Sequence, residues 1–502
     1  MWKSYETGRS DMAILDETAF DDGDEDYGDR DNEYDFEQGL AHGFASDDYM
    51  VKDQPTGAGD RAEGDAETQA VASTQTHADA PEDGAEDWDA TAAISANGNA
   101  SDPTRDDGTD GSKRKGRAKA KKQQRKNAAA LKSAHKVAAP TLFTPFTLRG
   151  VTTRNRIWLP PMDTYSAFGR DGRPTQFHYQ HYVSRALGGF GMVIAESTAV
   201  SPEGRISPCD VGLWEDDQID SWRWIVEDVK KAGAVAAIQL NHAGRKASTG
   251  CFSTGHINAT VPEDQGGWKT VAPSPIPYGH YDMPRELGVD EIHGIVEQFR
   301  YAAVRAVNAG FEAIEIHAAH GYLISQFLDP LSNQRSDEYG GSLENRMRFL
   351  VEISDAIRSA IPESMPLLVR ISATDWAAGG WDLDQSIETA KVLKMHGVDL
   401  MDVSTGGIVA GVTIPAQANY QVPFAQEIRD KALIPTTAVG LITKAKQAAR
   451  IVHKEQADAV EIGRAALRDP NWPLRAAYKL GLDKSEIPYP DQYVRGAFGT
   501  SR

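Results

Sequence analysis

Two cysteines, Cys209 and Cys251, are all that 502 residues contain. Two thiols cannot build a disulfide framework or a four-thiolate metal site, and an intracellular, reducing compartment is the simplest expectation. No run of about 18 apolar residues occurs, so no membrane span is expected. The opening Met1-Trp2-Lys3-Ser4-Tyr5-Glu6 soon turns acidic. It has no apolar core of the kind a secretory signal carries, and it is too acidic for a mitochondrial presequence. A cytoplasmic location is therefore expected.

The net charge of −20 is unevenly placed. Residues 1–110 hold 31 acidic and 6 basic side chains, and residues 111–140 hold 11 basic and no acidic ones. That leaves 141–502 at −6, an unremarkable value for an enzyme, so the acidic balance says nothing about a substrate. Residues 1–110 show neither helical nor strand periodicity and cannot bury enough apolar surface to offset their ordering entropy, so a disordered N-terminal extension is expected. Aromatics among its acids, such as Phe20, Tyr34 and Tyr49, suit either a solvated tail or a partner-docking motif. The basic run Lys113–Lys126 suits a solvated linker or a counter-charge to the tail. It also suits a nuclear address or a patch for nucleic acid or anionic membrane.

From Leu142 the texture changes. Eight apolar runs of strand length alternate with helical patterns: 157–161, 191–198, 234–242, 311–320, 366–372, 399–405, 434–440 and 457–464. They are nearly continuous in Val, Ile, Leu and Ala, as parallel strands covered by helices are. Helices are expected near 177–188, 216–232, 290–309, 343–360, 384–396, 422–431 and 443–454. The third opens at Asp290 as a candidate N-cap and places Ile292, Ile295, Val296, Phe299, Ala303 and Val307 on one face. Eight β-then-α units favour an α/β fold of the (β/α)8 TIM-barrel type over a doubly wound sheet, with 141–502 as one domain. A hairpin-like opening, Leu142-Phe143 to Leu148-Arg149, is placed to cap the bottom.

Active sites of such barrels lie at the C-terminal strand ends. The runs end in Pro160-Pro161-Met162-Asp163-Thr164-Tyr165, Glu196-Ser197-Thr198, Gln239-Leu240-Asn241-His242, His317-Ala318-Ala319-His320-Gly321-Tyr322, Arg370-Ile371-Ser372, Ser404-Thr405-Gly406-Gly407, Gly440 and Gly463-Arg464. A barrel that only folds has no need of this polar rim. Gly440 and Gly463-Arg464 follow strands 7 and 8, the usual phosphate site of the fold, where glycine admits close backbone approach and arginine adds a charged donor. Gln239 offers a donor and an acceptor to an imide-like edge, and Arg370 would stabilise an anionic reduced ring.

At these residues the chain resembles the old yellow enzyme family of NADH:flavin oxidoreductases, and within it the bacterial-type, thermophilic-like branch. The motifs are Asn155-Arg156-Ile157 before Pro161-Met162; Ile238-Gln239-Leu240 with His242-Ala243-Gly244-Arg245-Lys246; Glu315 to Leu323; Asp337-Glu338-Tyr339-Gly340-Gly341-Ser342 with Glu344-Asn345-Arg346; and Gly463-Arg464 with Arg468-Asp469-Pro470. The resemblance covers roughly Leu142–Arg495. The resemblance implies bound FMN, with NADPH or NADH as hydride donor, and reduction of activated C=C bonds in enones, enals, maleimide-like compounds or nitroalkenes. It implies that Pro160, Pro161, Met162, Asp163, Ser197, Gln239, Arg370, Gly440, Gly463 and Arg464 hold the cofactor. His317 and His320 would bind the substrate's activating oxygen, Tyr165 would line its pocket, and Tyr322 would supply the proton. Arg495, in Gln492-Tyr493-Val494-Arg495-Gly496, would reach a neighbouring subunit's site in a homodimer or larger oligomer; a surface arginine is the plain alternative.

Two imidazoles stabilise negative charge where it develops on an oxygen, which is why that residue type is needed. The same pair could be half of a metal site or a satisfied core pair, but no acidic or thiol ligand stands out to complete a metal site. Reduction of nitro compounds or nitrate esters on the same site is the enzymatic rival. A redox-silent barrel carrying its tail to a partner is the rival of another class. Asp163 stands where this branch usually has cysteine, so its effect on the flavin potential is an expectation particular to this chain. The Gly-, Pro- and Tyr-rich stretch Thr249–Met283 is expected to lid the site and set substrate range.

Overall fold

The computed structural model describes residues 141–252 and 258–499. The acidic tail 1–110 and the basic linker 111–140, with every expectation attached to them, lie outside the described residues.

Eight parallel strands close into a barrel: β1 (Ile157–Leu159), β2 (Met192–Ala199), β3 (Val235–Asn241), β4 (Ala313–Ala318), β5 (Leu367–Ser372), β6 (Leu400–Ser404), β7 (Thr436–Ala438) and β8 (Ala459–Glu461). Neighbours in sequence are neighbours in space, and β8 pairs with β1 through Val460–Ile157 and Glu461–Trp158. Each expected run coincides with one strand, β2 extending one residue past its run to Ala199, because a strand buried on both faces must be apolar almost throughout.

Helices cover the outside. Gln176–Leu187 is capped by Thr175, whose hydroxyl accepts from the Phe177 N–H. Ile219–Lys231 buries Trp222, Ile225, Val226 and Val229, the i, i+3, i+4, i+7 spacing of one helical face. Val289–Ala309 begins one residue before the expected cap. Gly288 is its N-cap, and the Glu291 carboxylate accepts the Gly288 N–H at 2.9 Å, leaving Asp290 in the first turn. Its buried face is Ile292, Ile295, Phe299, Ala302, Ala303 and Ala306, with Val296 and Val307 at the margin. Three alanines let this face approach the barrel closely, which turns it away from the bulkier valines. Among the described residues no helix is long and apolar enough to cross a membrane.

The interior is layered. The hairpin lies at Phe146–Leu148 and Val151–Thr153, a few residues later than expected, and its Phe146, Leu148 and Val151 pack with Trp158, Met192, Ile194, Val235, Ala237, Ala313, Leu368, Leu400 and Ala459. These are inward-facing residues of the lower barrel. Two residues further along the same strands come Glu196, Gln239, Glu315, Arg370, Asp402 and Glu461, all buried. The strand period of two thus changes the filling from apolar to polar within one step.

Phe299→Ala removes a fully buried ring from the helix–barrel interface. It is expected to destabilise the protein by roughly 3–5 kcal/mol, read as a lowered denaturation midpoint in urea. An unchanged midpoint would contradict this packing.

Candidate active site

Above the polar layer a cavity of about 280 Å³ opens at the C-terminal strand ends. Pro160, Pro161, Met162, Asp163, Tyr165, Gln239, His317, His320, Tyr322, Arg370, Gly440, Gly463 and Arg464 all line it. Two expected residues do not. Ser197 lies behind the wall, its Oγ accepting from Asn241 Nδ2 at 2.8 Å, while its N–H donates to the Asp163 carboxyl. Arg495 is exposed in a 3-10 turn, Asp491–Gly496, away from this cavity.

Arg370 anchors the floor. Its register partners are His317 on β4 and Asp402 on β6. Its Nε lies 2.9 Å from Asp402 Oδ2, and its other end lies 3.7 Å from Glu461 Oε2. Burial alone would lower its pKa, but Asp402, Glu461 and Glu315 raise it above the ordinary value. The carboxyls respond in turn. Burial, then Asp402, pushes Glu315 up to about 8 against the pull of Arg370 and of the Gln239 Nε2 hydrogen bond at 2.8 Å. Burial, then Asp402, also raises Glu461.

β4 ends at Ala318, and the chain then makes a tight turn. His320 has a left-handed backbone, φ 59°. Its N–H donates to Ser372 Oγ at 2.9 Å and its carbonyl accepts from Lys246 Nζ at 3.0 Å. A Cβ on Gly407 would lie 2.6 Å from His320 Cα, and one on Gly321 would overlap the Gly407 carbonyl oxygen, so both glycines are required by this approach. Tyr322 is therefore not on the strand end itself; it is the N-cap residue of the short helix Leu323–Leu328. The turn brings the rings together. His317 and Tyr322 meet edge-to-face at 4.9 Å, and His317 Nε2 lies 3.4 Å from His320 Nδ1. Burial, then Arg370, holds both imidazoles well below their ordinary pKa, so both are neutral. Burial, then Asp163, holds the Tyr322 phenol well above its own, so it keeps its proton.

Asp163 stands in the wall beside Tyr165. Burial first, then Asp210 and Glu196, raises its pKa well above the carboxylate range, opposed by the Ser197 N–H. Tyr165 packs edge-to-face on Phe252 at 4.8 Å. Phe252 follows Cys251, and Cys209 and Cys251, 42 residues apart, form a disulfide, a single bond and not a framework. It ties the start of the stretch Thr249–Met283 to the loop after β2. Two cysteines far apart in sequence carry no spacing signature, so only the fold reveals that their Cα atoms lie 5.9 Å apart.

Sequence reading does not single out Phe252, Tyr420, Gln421 or Glu461 as lining residues. A polar residue at every second position of an otherwise apolar run, as in Ala459-Val460-Glu461, was the available signal for Glu461. Tyr420 and Gln421 precede a helix rather than ending a strand, and they carry none.

A TIM barrel with a polar rim, glycines after strands 7 and 8, and a buried arginine in the floor defines a phosphorylated-cofactor enzyme. A Cβ on Gly463 would make only ordinary contacts, 3.6 Å to Met162 Sδ and 3.8 Å to Pro160 Cγ. The space beside Gly463 is thus not filled by the protein, and Gly440, Gly463 and Arg464 with Gln239 and Arg370 form a donor set that fits FMN. Comparison gives the class its name. Residues 141–483 match the model of the NADH:flavin oxidoreductase / NADH oxidase family. The chain is similar to the NADPH dehydrogenase of Bacillus pumilus, 46% identical over 355 residues, covering 70% of this chain and 98% of that one. It is also similar to the NADPH dehydrogenase of Listeria innocua, 47% identical over 70% of this chain and 98% of that one. Among solved structures, the old yellow enzyme homologue from Zymomonas mobilis superposes with a TM-score of 0.58 at 28% identity, over 70% of this chain and 99% of that one. Morphinone reductase in complex with tetrahydroNAD gives 0.57 at 29%, over 70% and 97%. The chain belongs to the NADH:flavin oxidoreductase, or old yellow enzyme, family. It is an FMN-dependent NAD(P)H oxidoreductase.

Glu315 keeps its proton to about pH 8 in the fold, whereas an exposed glutamate releases it near 4.5. Because the folded value is the raised one, this group's contribution is full below about 4.5 and is lost as pH rises to about 8. Glu315→Gln keeps an acceptor for Gln239 and should flatten that part of the decline in thermal midpoint between pH 5 and 8. A variant whose pH dependence overlays the wild type would show that Glu315 ionises normally.

Proposed function

We propose that this oxidoreductase is an ene-reductase. Bound FMN supplies hydride for the β-carbon of an alkene conjugated to a carbonyl or nitro group. The chain's own residues handle the substrate's oxygen and the proton. The observation that carries the reading is the convergence of His317 Nε2, His320 Nδ1 and the Tyr322 ring on one cavity.

Negative charge that develops on the activating oxygen needs donors already in place. Neutral imidazoles are suited to this, since each can present an N–H without carrying a charge that would bind any anion. Tyr322 keeps its phenolic proton until the α-carbon becomes basic enough to take it, and so acts as the general acid. Tyr165 and Phe252 form the aromatic side of the substrate space. The stretch from Thr249 onward, tied down at Cys251, sets how bulky a substrate can enter. In the cytoplasm, which is part of this proposal, that tie competes with the cell's thiol pool.

The cofactor would lie with Pro160, Pro161, Met162 and Asp163 along one side. Gln239 and Arg370 would meet its polar ring edge, and Gly440, Gly463 and Arg464 its phosphate. Ser197 would act only through Asp163 and Asn241. Arg495, remote from this chain's own cavity, is assigned to a neighbouring subunit's site in a homo-oligomer. The division into a tail at 1–110, a linker at 111–140 and a catalytic barrel at 141–502 belongs to the same proposal.

Two measurements test the reading. Tyr322→Phe should retain anaerobic bleaching by NADPH but reduce cyclohexenone turnover by about 10²- to 10⁴-fold. Turnover within about threefold of wild type would assign the proton to another group. Asp163, held neutral, would donate a hydrogen bond toward the reduced flavin. Asp163→Cys should therefore lower the flavin midpoint potential and alter its pH dependence. If both stay as in wild type, Asp163 has no influence on the driving force.

A further inference from the structure

The hydrogen bonds around His320 can be followed donor by donor. The Ala319 N–H donates to His317 Nδ1 at 3.3 Å, so the His317 proton is on Nε2. His317 Nε2 faces His320 Nδ1 at 3.4 Å. On the far side of the second ring, His320 Nε2 lies 2.7 Å from Ser404 Oγ, at the end of β6. Ser404 Oγ is also 3.1 Å from Gln421 Oε1, which in addition accepts from Thr405 Oγ1 at 2.9 Å. Ser404 has one proton to give, and two acceptors lie within reach of it.

Two arrangements satisfy these distances. In the first, the Ser404 hydroxyl donates to Gln421. His320 then carries its proton on Nε2 and donates to Ser404 Oγ, and its bare Nδ1 accepts from His317 Nε2–H. The imidazole pair is paired with itself. In the second, the Ser404 hydroxyl turns and donates to His320 Nε2. The His320 proton is then on Nδ1, and the two rings point two N–H groups at each other. That is unfavourable unless an electron-rich oxygen lies between them. Gln421 Oε1 loses nothing essential by the change, since Thr405 still donates to it. Both arrangements hold the same number of protons, and both rings stay neutral, in keeping with their buried setting.

We propose that Ser404 is a positioning residue that selects the His320 tautomer. The pair is self-satisfied when no oxygen is bound and becomes a double donor when the substrate's oxygen arrives. The inference rests on the reading of His317 and His320 as the oxygen-binding pair and adds how that pair avoids facing two N–H groups at each other between turnovers. It also gives a reason for the arrangement of side chains at the end of β6. Ser372 Oγ is committed, accepting from the His320 N–H and donating to the Gly406 carbonyl at 2.7 Å. Ser404 alone among the neighbouring hydroxyls is free to turn between a ring nitrogen and an amide oxygen.

The test uses the oxidised FMN-loaded full chain labelled with ¹⁵N-histidine, and 4-chlorophenol bound as its phenolate, followed by the flavin charge-transfer absorbance, as a probe that presents an electron-rich oxygen. The ring-nitrogen shifts should report His320 protonated at Nε2 in the free enzyme and at Nδ1 with the phenol bound, while His317 stays protonated at Nε2 throughout. Ser404→Ala should weaken phenol binding about tenfold, the loss expected when one neutral hydrogen bond is removed. Ser404→Thr, which keeps the hydroxyl, should bind within about threefold of wild type. Flavin absorbance confirms that each variant is folded and loaded. A His320 proton on the same nitrogen in both states, or Ser404→Ala binding like the wild type, overturns the tautomer role. His317→Ala separates this from the wider reading. If that variant also binds phenol as the wild type does, the pair does not hold the oxygen and the proposed function fails with it. If His317→Ala binds weakly while Ser404→Ala is unaffected, only the role of Ser404 fails.

Discussion

One buried guanidinium determines what the upper half of the barrel can hold. Arg370 rises from β5 into a ring of Asp402, Glu461 and Glu315, beneath which lies a layer of apolar side chains. Taking such a charge out of water costs several kcal/mol and is tolerated only where carboxylates answer it directly. Three carboxylates around one guanidinium would overshoot, and the structure avoids this by keeping protons on Glu315 and Glu461. The floor of the cavity is thus a fixed positive group with an adjustable set of acids below it. The hairpin of Phe146–Leu148 and Val151–Thr153 seals the layer from the other end, so the site opens in one direction only.

The same cavity depends on one strained residue. A left-handed backbone at a non-glycine position costs roughly 1–2 kcal/mol. His320 is held there by Lys246, by Ser372, and by two glycines that let the turn press against the loop after β6. The strain carries out a geometric task. It takes the chain from the end of β4 to a helix N-cap in four residues while aiming His317, His320 and Tyr322 at one point. Lys246 comes from the segment after β3 that leads to Cys251 and Phe252, so the brace for the imidazole turn and the anchor of the aromatic wall lie on one stretch of chain.

Much of this was legible in the sequence because burial on both faces leaves a simple signature. Seven of the eight strands fall inside the apolar runs and β2 outruns its own by one residue, and the cavity gathers thirteen of the residues expected to bind cofactor or substrate. What escaped follows from interactions that one-dimensional patterns do not carry. Asp290 looks like a cap, yet Gly288 takes that place because Glu291 reaches back to its N–H. Glu315, Asp402 and Glu461 sit inside apolar runs, and their meaning appears only when the period of two is read across several strands at once. Ser197 lies within β2, which continues to Ala199, at an irregularity of register between Ala195 and Thr198, and its hydroxyl pairs with Asn241 instead of lining the cavity. The Cys209–Cys251 bond depends wholly on two loops meeting in space.

The electrostatic state of the cavity follows from these parts. Its acids and bases are held in neutral forms: Asp163, Glu315, Glu461, Tyr165 and Tyr322 by raised pKa values, His317 and His320 by lowered ones. Burial is the first cause in every case, and it acts on both signs because it disfavours charge of either kind. Arg370 escapes only because its carboxylate partners outweigh that cost. At the floor of the cavity, neutral donors around the Arg370 guanidinium favour negative charge that appears during a reaction over negative charge that arrives with a ligand. Neutral N–H and O–H groups gain most when an oxygen facing them becomes electron-rich, and in a dry site that gain is not diluted by water. An enzyme that had used charged imidazoles would bind anions tightly at rest and gain less in the transition state. The burial that makes each of these side chains costly to ionise is therefore also what makes the set selective for charge that develops in place.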